Sequence, residues 1–258
     1  MTVLGVSTQV GQARRGHPAD LTIRCADATA HALFIYLDTI SEPLGARRLA
    51  LLGRRKKSLQ ARGIERRRKL LDSARVLLSS RELDALTLSD VARHAKVAKG
   101  SAYFFYSDIE DLYAKLQTAQ HEELIEILRQ PVRQRVRRWQ DMVSVLNARG
   151  MEYYAANPAA RQLQIGPKTS PMLKMRDRQS DVALGSLYEN HIDTYFVLPD
   201  LPERSRVFFR AVEIADLMFS LSVLECGTIT PAMCAEADRA AIAYLESYLS
   251  PSLPRRVR

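Results

Sequence analysis

Lys99, Ser101 and Tyr103 stand at alternate positions within residues 98–106, with Gly100 between the first two and Phe104 after them. An ammonium and two hydroxyls are donors suited to phosphate oxygens and to the hydrogen-bonding edges of bases. A glycine among them removes a side chain where a second surface can come close to the backbone. Thr87 precedes Leu88-Ser89-Asp90. Its hydroxyl suits a helix start, where orphan N–H groups take either a cap or a phosphate. Each residue also has an ordinary structural use: Thr87 caps any helix, Gly100 marks a loop, and the aromatic residues pack in a core. The set acquires meaning through its register.

A basic block lies just upstream. Residues 1–69 hold 14 Lys or Arg and five Asp or Glu, a net of +9, whereas residues 70–258 hold 24 of each. The densest run, 47–69, has eleven basic residues and one acid, Glu65. Such a block attracts phosphate polyanions over a Debye length, about 8 Å at physiological salt. Taken alone it fits a solvated arm or surface helix equally well. Arg62, Arg66, Arg67, Arg68 and Lys69 lie nearest the polar set and are candidates for phosphate or minor-groove contacts.

Composition narrows the class. The chain has 258 residues, 47% hydrophobic and 26% charged, which is the balance of a globular protein and not of a disordered one. Cys25, Cys226 and Cys234 are too few and too scattered for a disulfide framework, so a reducing compartment is expected. No apolar run reaches the ~18 residues of a membrane span. The first thirty residues lack a basic start followed by an apolar stretch, the mark of a secretory signal. A cytoplasmic location and no membrane partner are the expectations.

The elements needed to position the polar set follow from periodicity. Leu70, Leu71, Ala74, Leu77 and Leu78 form one apolar helical face that fades by Glu82. Thr87 and Asp90 form a capping pair for a helix barely two turns long, with Leu88, Val91, Ala92 and Ala95 on one face. A tight turn at 96–98 leads to a third helix on which Ala102 and Tyr106 share a face, while Lys99, Ser101, Tyr103 and Phe104 point elsewhere. Residues 107–110 read as another capping box, opening a helix to Arg129 that stops at Pro131. Three short helices with a tight turn before the last make a helix-turn-helix.

The stretch Thr87-Leu88-Ser89-Asp90-Val91-Ala92, followed by residues 95–106 and a helix-opening Ser107-Asp108-Ile109-Glu110, resembles the DNA-binding segment of TetR-family transcriptional regulators. The match covers residues 62–112. Four positions depart from the family pattern. Lys96 stands where Gly is usual in the turn, Ala102 replaces a larger apolar residue, Phe104 stands where a polar residue or His is common, and Ile109 stands where Lys often grips phosphate. The resemblance implies DNA-contacting roles for Thr87, Lys99, Gly100, Ser101, Tyr103 and Phe104.

Beyond Pro131, helices are expected over 132–157, 172–196, 203–226 and 231–249, with a short turn of helix at 158–165 and a loop at 166–171. No period-2 strand pattern is present. The expected class is all-α: a basic flexible extension over 1–61, a three-helix DNA-binding domain over 62–112, and a helical ligand-binding and dimerisation domain over 113–258. Phe208, Val212, Ala215, Phe219 and Val223 recur at helical spacing, with apolar residues on other faces too. The resemblance implies a homodimer through the last two helices, a palindromic double-stranded operator, and a small-molecule effector that releases it. It also implies an effector pocket among the middle helices, for which Trp139, Met142, Met151, Tyr153, Tyr154, Tyr188, His191 and Tyr195 are candidates. A ligand-responsive repressor is the main reading. The alternatives are a DNA binder controlled by a protein partner or by nothing, and a helical scaffold or enzyme that does not bind DNA.

No catalytic residue, metal ligand or cofactor is expected. The five histidines do not fall at ligand spacing with Cys or carboxylates, and Cys226 and Cys234 lie eight apart across a helix break. Lys99-Gly100-Ser101 lacks the glycine frame of a P-loop, and no Gly-x-Ser-x-Gly elbow occurs.

Overall fold

The computed structural model describes the backbone of residues 44–256 and the side chains of residues 60–256. The extension expected over 1–61 lies outside the described residues as far as position 43. From Leu44 the backbone is helical. Among the described residues there are nine α-helices: α1 (Leu44–Leu78), α2 (Leu88–His94), α3 (Lys99–Phe105), α4 (Ile109–Arg129), α5 (Trp139–Ala156), α6 (Pro158–Gln164), α7 (Pro171–Tyr195), α8 (Arg204–Cys226) and α9 (Pro231–Glu246). A 3-10 turn (Leu83–Ala85) follows α1, and one isolated bridge joins Phe196 to Arg255. The class is all-α. No helix of the described residues is long and apolar enough to cross a membrane.

Ser58–Arg258 forms one compact unit, set apart from the residues before it. Within it, two hydrophobic cores form. One gathers Leu70, Ala74 and Leu78 of α1, Leu88, Val91 and Ala92 of α2, Ala102, and Leu112, Tyr113 and Leu116 of α4. The other gathers Leu124 and Leu128 of α4 with residues of α5, α7, α8 and α9. Helix α4 thus runs through the expected boundary at 112/113 and feeds both cores. Polar ties reinforce it. Gln117 Nε2 donates to the carbonyls of Leu163 and Leu173, each at 3.1 Å. Arg75 of α1 grips both carboxylate oxygens of Glu123 at 3.0 and 2.6 Å. Gln162 Nε2 donates to the carbonyls of Leu78 and Arg81 at 2.7 and 2.9 Å, satisfying the end of α1.

Helix starts follow their caps. Ser170 and Thr230 accept from the backbone N–H three residues on, with Pro171 and Pro231 at the first helical position. Two boundaries differ from the expectation. Helix α4 is capped by Asp108 and not Ser107: Asp108 Oδ1 accepts from the N–H of Asp111 at 2.8 Å, and Asp111 Oδ2 accepts from that of Ser107 at 3.2 Å. Helix α5 begins at Trp139 and not at 132. Asp141 Oδ2 accepts from the N–H of Arg137 and of Arg138, both at 2.9 Å, which closes the helix start there. Val132 and Val136 are four apart and mimic a helical face, but they are buried from a loop. Arg149 holds that loop by donating to the carbonyls of Leu128, Gln130 and Pro131. Helix α9 ends at Glu246, and single turns carry the chain on to Leu249.

Helix α8 packs against both α7 and α9. The α7–α8 crossing is set by Gly185: a Cβ there would sit 2.6 Å from Phe209 N and 2.7 Å from Phe209 Cα. Gly185→Ala forces the two backbones apart, so urea unfolding of that variant should show a loss of about 1–3 kcal/mol.

Candidate nucleic-acid interface

Helix α2 begins with a complete capping box. Thr87 Oγ1 accepts from the N–H of Asp90 at 3.2 Å, and Asp90 Oδ2 accepts from Thr87 N and Thr87 Oγ1 at 3.1 and 2.7 Å. These bonds from Thr87 hold the Asp90 carboxyl below its usual range, and Arg93 pairs with it as well. The proton of the Thr87 hydroxyl is therefore directed at Asp90. Leu88, Val91 and Ala92 are buried beneath.

The helix ends in a Schellman arrangement. Val97 N–H donates to Ala92 O at 3.0 Å and Lys96 N–H to Arg93 O at 3.2 Å. Lys96 takes φ 54°, the left-handed conformation that a glycine accepts freely. This is the position at which the chain departs from the family's usual Gly. The two hydrogen bonds and the partly buried Val97 hold the turn shape despite the side chain.

Helix α3 is oriented by two side chains. Ala102 is fully buried and Tyr106 is 5% exposed. On the opposite side Lys99, Gly100 and Tyr103 are exposed, Ser101 is half-buried, and Phe104 is 81% exposed. Lys99 Nζ lies 5.8 Å from the centre of the Tyr103 ring, and the Tyr103 hydroxyl is 3.5 Å from Ser89 Oγ. Phe104 meets Phe105 edge-on, and the Arg67 guanidinium sits 5.0 Å from the Phe105 ring centre.

The basic block splits over two arcs of α1. Arg62 and Arg66, four residues apart and so on one face, line a groove of about 330 Å³ with Gly63, Gly100, Ser101, Phe104 and Phe105. Arg68 and Lys69 turn instead to Glu65, at 2.9 and 3.9 Å. The fold thus brings Arg62, Arg66, Gly100, Ser101 and Phe104 together, with Arg67 adjoining through Phe105. Gly63 and Phe105 complete this groove without having been expected there; the signal for Phe105 was its place beside Phe104.

The family model described as "Bacterial regulatory proteins, tetR family" matches residues 70–116. Residues 70–116 thus match the N-terminal domain of that family. A solved TetR-family transcriptional regulator from Streptomyces coelicolor shares 22% identity, covering 73% of this chain and 99% of that one with a TM-score of 0.57. A TetR transcriptional regulator from Rhodococcus sp. RHA1 shares 18%, covering 72% and 97% with a TM-score of 0.55. These likenesses extend the TetR fold through the C-terminal helices. No curated protein sequence matches the chain.

In the TetR-like body, the candidate effector residues fall in different places. Tyr154 and Tyr188 line one small cavity with Asn147, Gly150, Asp181 and Asp216. The Tyr154 hydroxyl donates to Gln164 Oε1 and that of Tyr188 to Asn147 Oδ1, each at 2.8 Å. Trp139 and Met142 are fully buried, and Trp139 Nε1 donates to the carbonyl of Ser250 at 2.9 Å. The Tyr153 hydroxyl donates to the carbonyl of Gln120. Met151 packs at the edge of the core. His191 lines a surface groove with Ile125 and Arg129, and its Nε2 is 2.8 Å from Leu128 O. Tyr195 lines another groove with Pro131 and Arg255.

Sequence spacing also missed a buried acidic group. Asp177 and Asp181 of α7 face Glu213 and Asp216 of α8. Burial first, then mutual repulsion, pushes Asp177, Asp181 and Asp216 well above the usual carboxylate range. Acids four and three apart on helices that are otherwise packed were the signal for it.

A Cβ at Gly100 would meet nothing within 4 Å, so the space above it is open to a second molecule. Gly100→Ala should hold or raise stability, by up to about 1 kcal/mol, because the residue is helical. The same change should weaken binding to duplex DNA. Thermal unfolding and a DNA titration of this variant separate the two effects. Lys96→Gly should raise stability by about 1 kcal/mol in the same unfolding measurement, by relieving the left-handed turn.

Proposed function

We propose that the protein is a cytoplasmic, homodimeric, ligand-responsive repressor that reads a palindromic operator. The observation that carries this is the outward face of α3: Lys99, Gly100, Tyr103 and Phe104 exposed together, with Ser101 half-buried among them, beside Arg62 and Arg66. Helix α3 enters the major groove N-terminus first. Lys99 and Ser101 meet base edges or phosphates, Tyr103 reaches a phosphate through its hydroxyl, and Gly100 lets the backbone approach. Arg62 and Arg66 grip the adjoining backbone. Thr87 contributes through the α2 N-terminus, its hydroxyl being engaged by Asp90.

The dimer forms through α8 and α9. Leu217 and Leu224 of α8 are 54% and 62% exposed in the single chain, and Tyr248 beyond α9 is 42% exposed. Apolar side chains of this size on paired helices suit an isologous two-fold contact, which in turn suits two half-sites. The effector enters the C-terminal helices where Tyr154 and Tyr188 lie. It binds the two states of the dimer unequally, and so shifts the population away from the form that fits DNA.

The test is binding of the full-length protein to the DNA upstream of its own coding region, across a salt series. Lys99→Ala/Tyr103→Ala should keep its helix content and lose specific affinity by about tenfold to a hundredfold, one or two base or phosphate contacts' worth. Arg62→Ala/Arg66→Ala should lower the salt slope by about 1.8, two phosphates' worth. Unchanged specific binding in the first variant overturns the assignment of α3 as the reader.

A further inference from the structure

We propose that His121, Asp177 and Asp181 form a site for one first-row divalent transition-metal ion inside the C-terminal helical body. His121 lies on α4, and the two aspartates lie four residues apart on one face of α7. The residues are 5%, 4% and 5% exposed, and one ligand atom of each lies within 4.8 Å of the others.

The histidine decides between an acidic cluster and a ligand site. His121 Nε2 is 3.1 Å from the carbonyl of Ser180. A carbonyl only accepts, so Nε2 carries the proton and Nδ1 presents its lone pair. That Nδ1 is buried without a hydrogen-bond partner and points at Asp181 Oδ1 from 4.0 Å. The unpartnered Nδ1 lone pair beside Asp181 is an open ligand position, and a cation there would take that lone pair and displace the proton that burial keeps on the carboxyl. A ring N–H donated to a backbone carbonyl is also the support that metal-ligating histidines receive.

The donor set and the charge select the ion. One imidazole and two carboxylates suit zinc, manganese, iron, cobalt or nickel, whereas magnesium and calcium take oxygen ligands alone. Four carboxylates converge here: Asp177, Asp181, Glu213 and Asp216. Two cations face them. Lys174 donates to the carbonyl of Gln164, and Arg178 pairs with Glu213 at 2.9 Å. A divalent ion balances the remaining charge. The neighbouring cavity, lined by Asp181 and Asp216, measures about 30 Å³. That volume suits a coordinated water. Metal bonds of about 2.1 Å place ligand atoms roughly 3 Å apart, so the site tightens by about 1 Å on binding.

The test uses full-length protein dialysed against a chelator, then titrated with cobalt(II) by visible absorbance and with zinc(II) by calorimetry. One ion per chain and a rise in thermal midpoint with zinc are expected. Asp181→Asn keeps the side-chain shape and removes one buried charge. It should fold, lose the cobalt spectrum and lose the zinc-induced shift. His121→Ala should weaken binding at least about a hundredfold, while His94→Ala, on the exposed end of α2, leaves it intact. Failure of the wild type to retain an ion, or cobalt spectra alike in wild type and both site variants, overturns the proposal and leaves the acids balanced by protons. None of these readouts involves DNA, so they fail or succeed apart from the repressor reading.

Discussion

Helix α3 is seven residues long and cannot persist alone in water. Its existence and its orientation depend on burying Ala102 and Tyr106 against α1, α2 and α4. Everything that reaches outward from α3 does so because those two reach inward. The capping box at Thr87 and the Schellman turn at Lys96 set the direction of entry. A left-handed lysine there costs about 1 kcal/mol of backbone ease and adds a positive charge beside the exposed face of α3.

The same burial links the helix-turn-helix to the body. Helix α4 gives Leu112, Tyr113 and Leu116 to one core and Leu124 and Leu128 to the other. Arg75–Glu123, Gln162 to the end of α1, and Lys168 to Asp84 at 2.9 Å fix the head by polar contacts as well. A change in packing around α4 and α7 therefore has a stiff route to α1 and the α2–α3 unit. This is a contiguous physical connection; a coupling energy between the two ends is a separate quantity.

Local chemistry was legible in the sequence, and long-range juxtaposition was not. Thr87 marked a helix start because a cap acts over three residues. Ala102 and Tyr106 were separable from Lys99, Ser101 and Tyr103 because helical period alone assigns faces. The helix expected from 132 starts later because Arg149 holds residues 130–138 as a loop, from which Val132 and Val136 are buried. Helix α1 runs from Leu44 through Gly45 and Gly53, because single glycines weaken a helix without ending it. His121 lies 56 and 60 residues from Asp177 and Asp181, so no ligand spacing could expose that group. The arrangement comes from the packing of α4 on α7.

The central claim is that α3 reads DNA as one half of a two-fold pair. Selection of binding sites by the full-length protein from a random duplex library measures this most directly. The account predicts enrichment of an inverted repeat with half-site centres about 34–36 Å apart, or a multiple of that. Retention of duplexes without an enriched sequence, carried by charge alone, would contradict it.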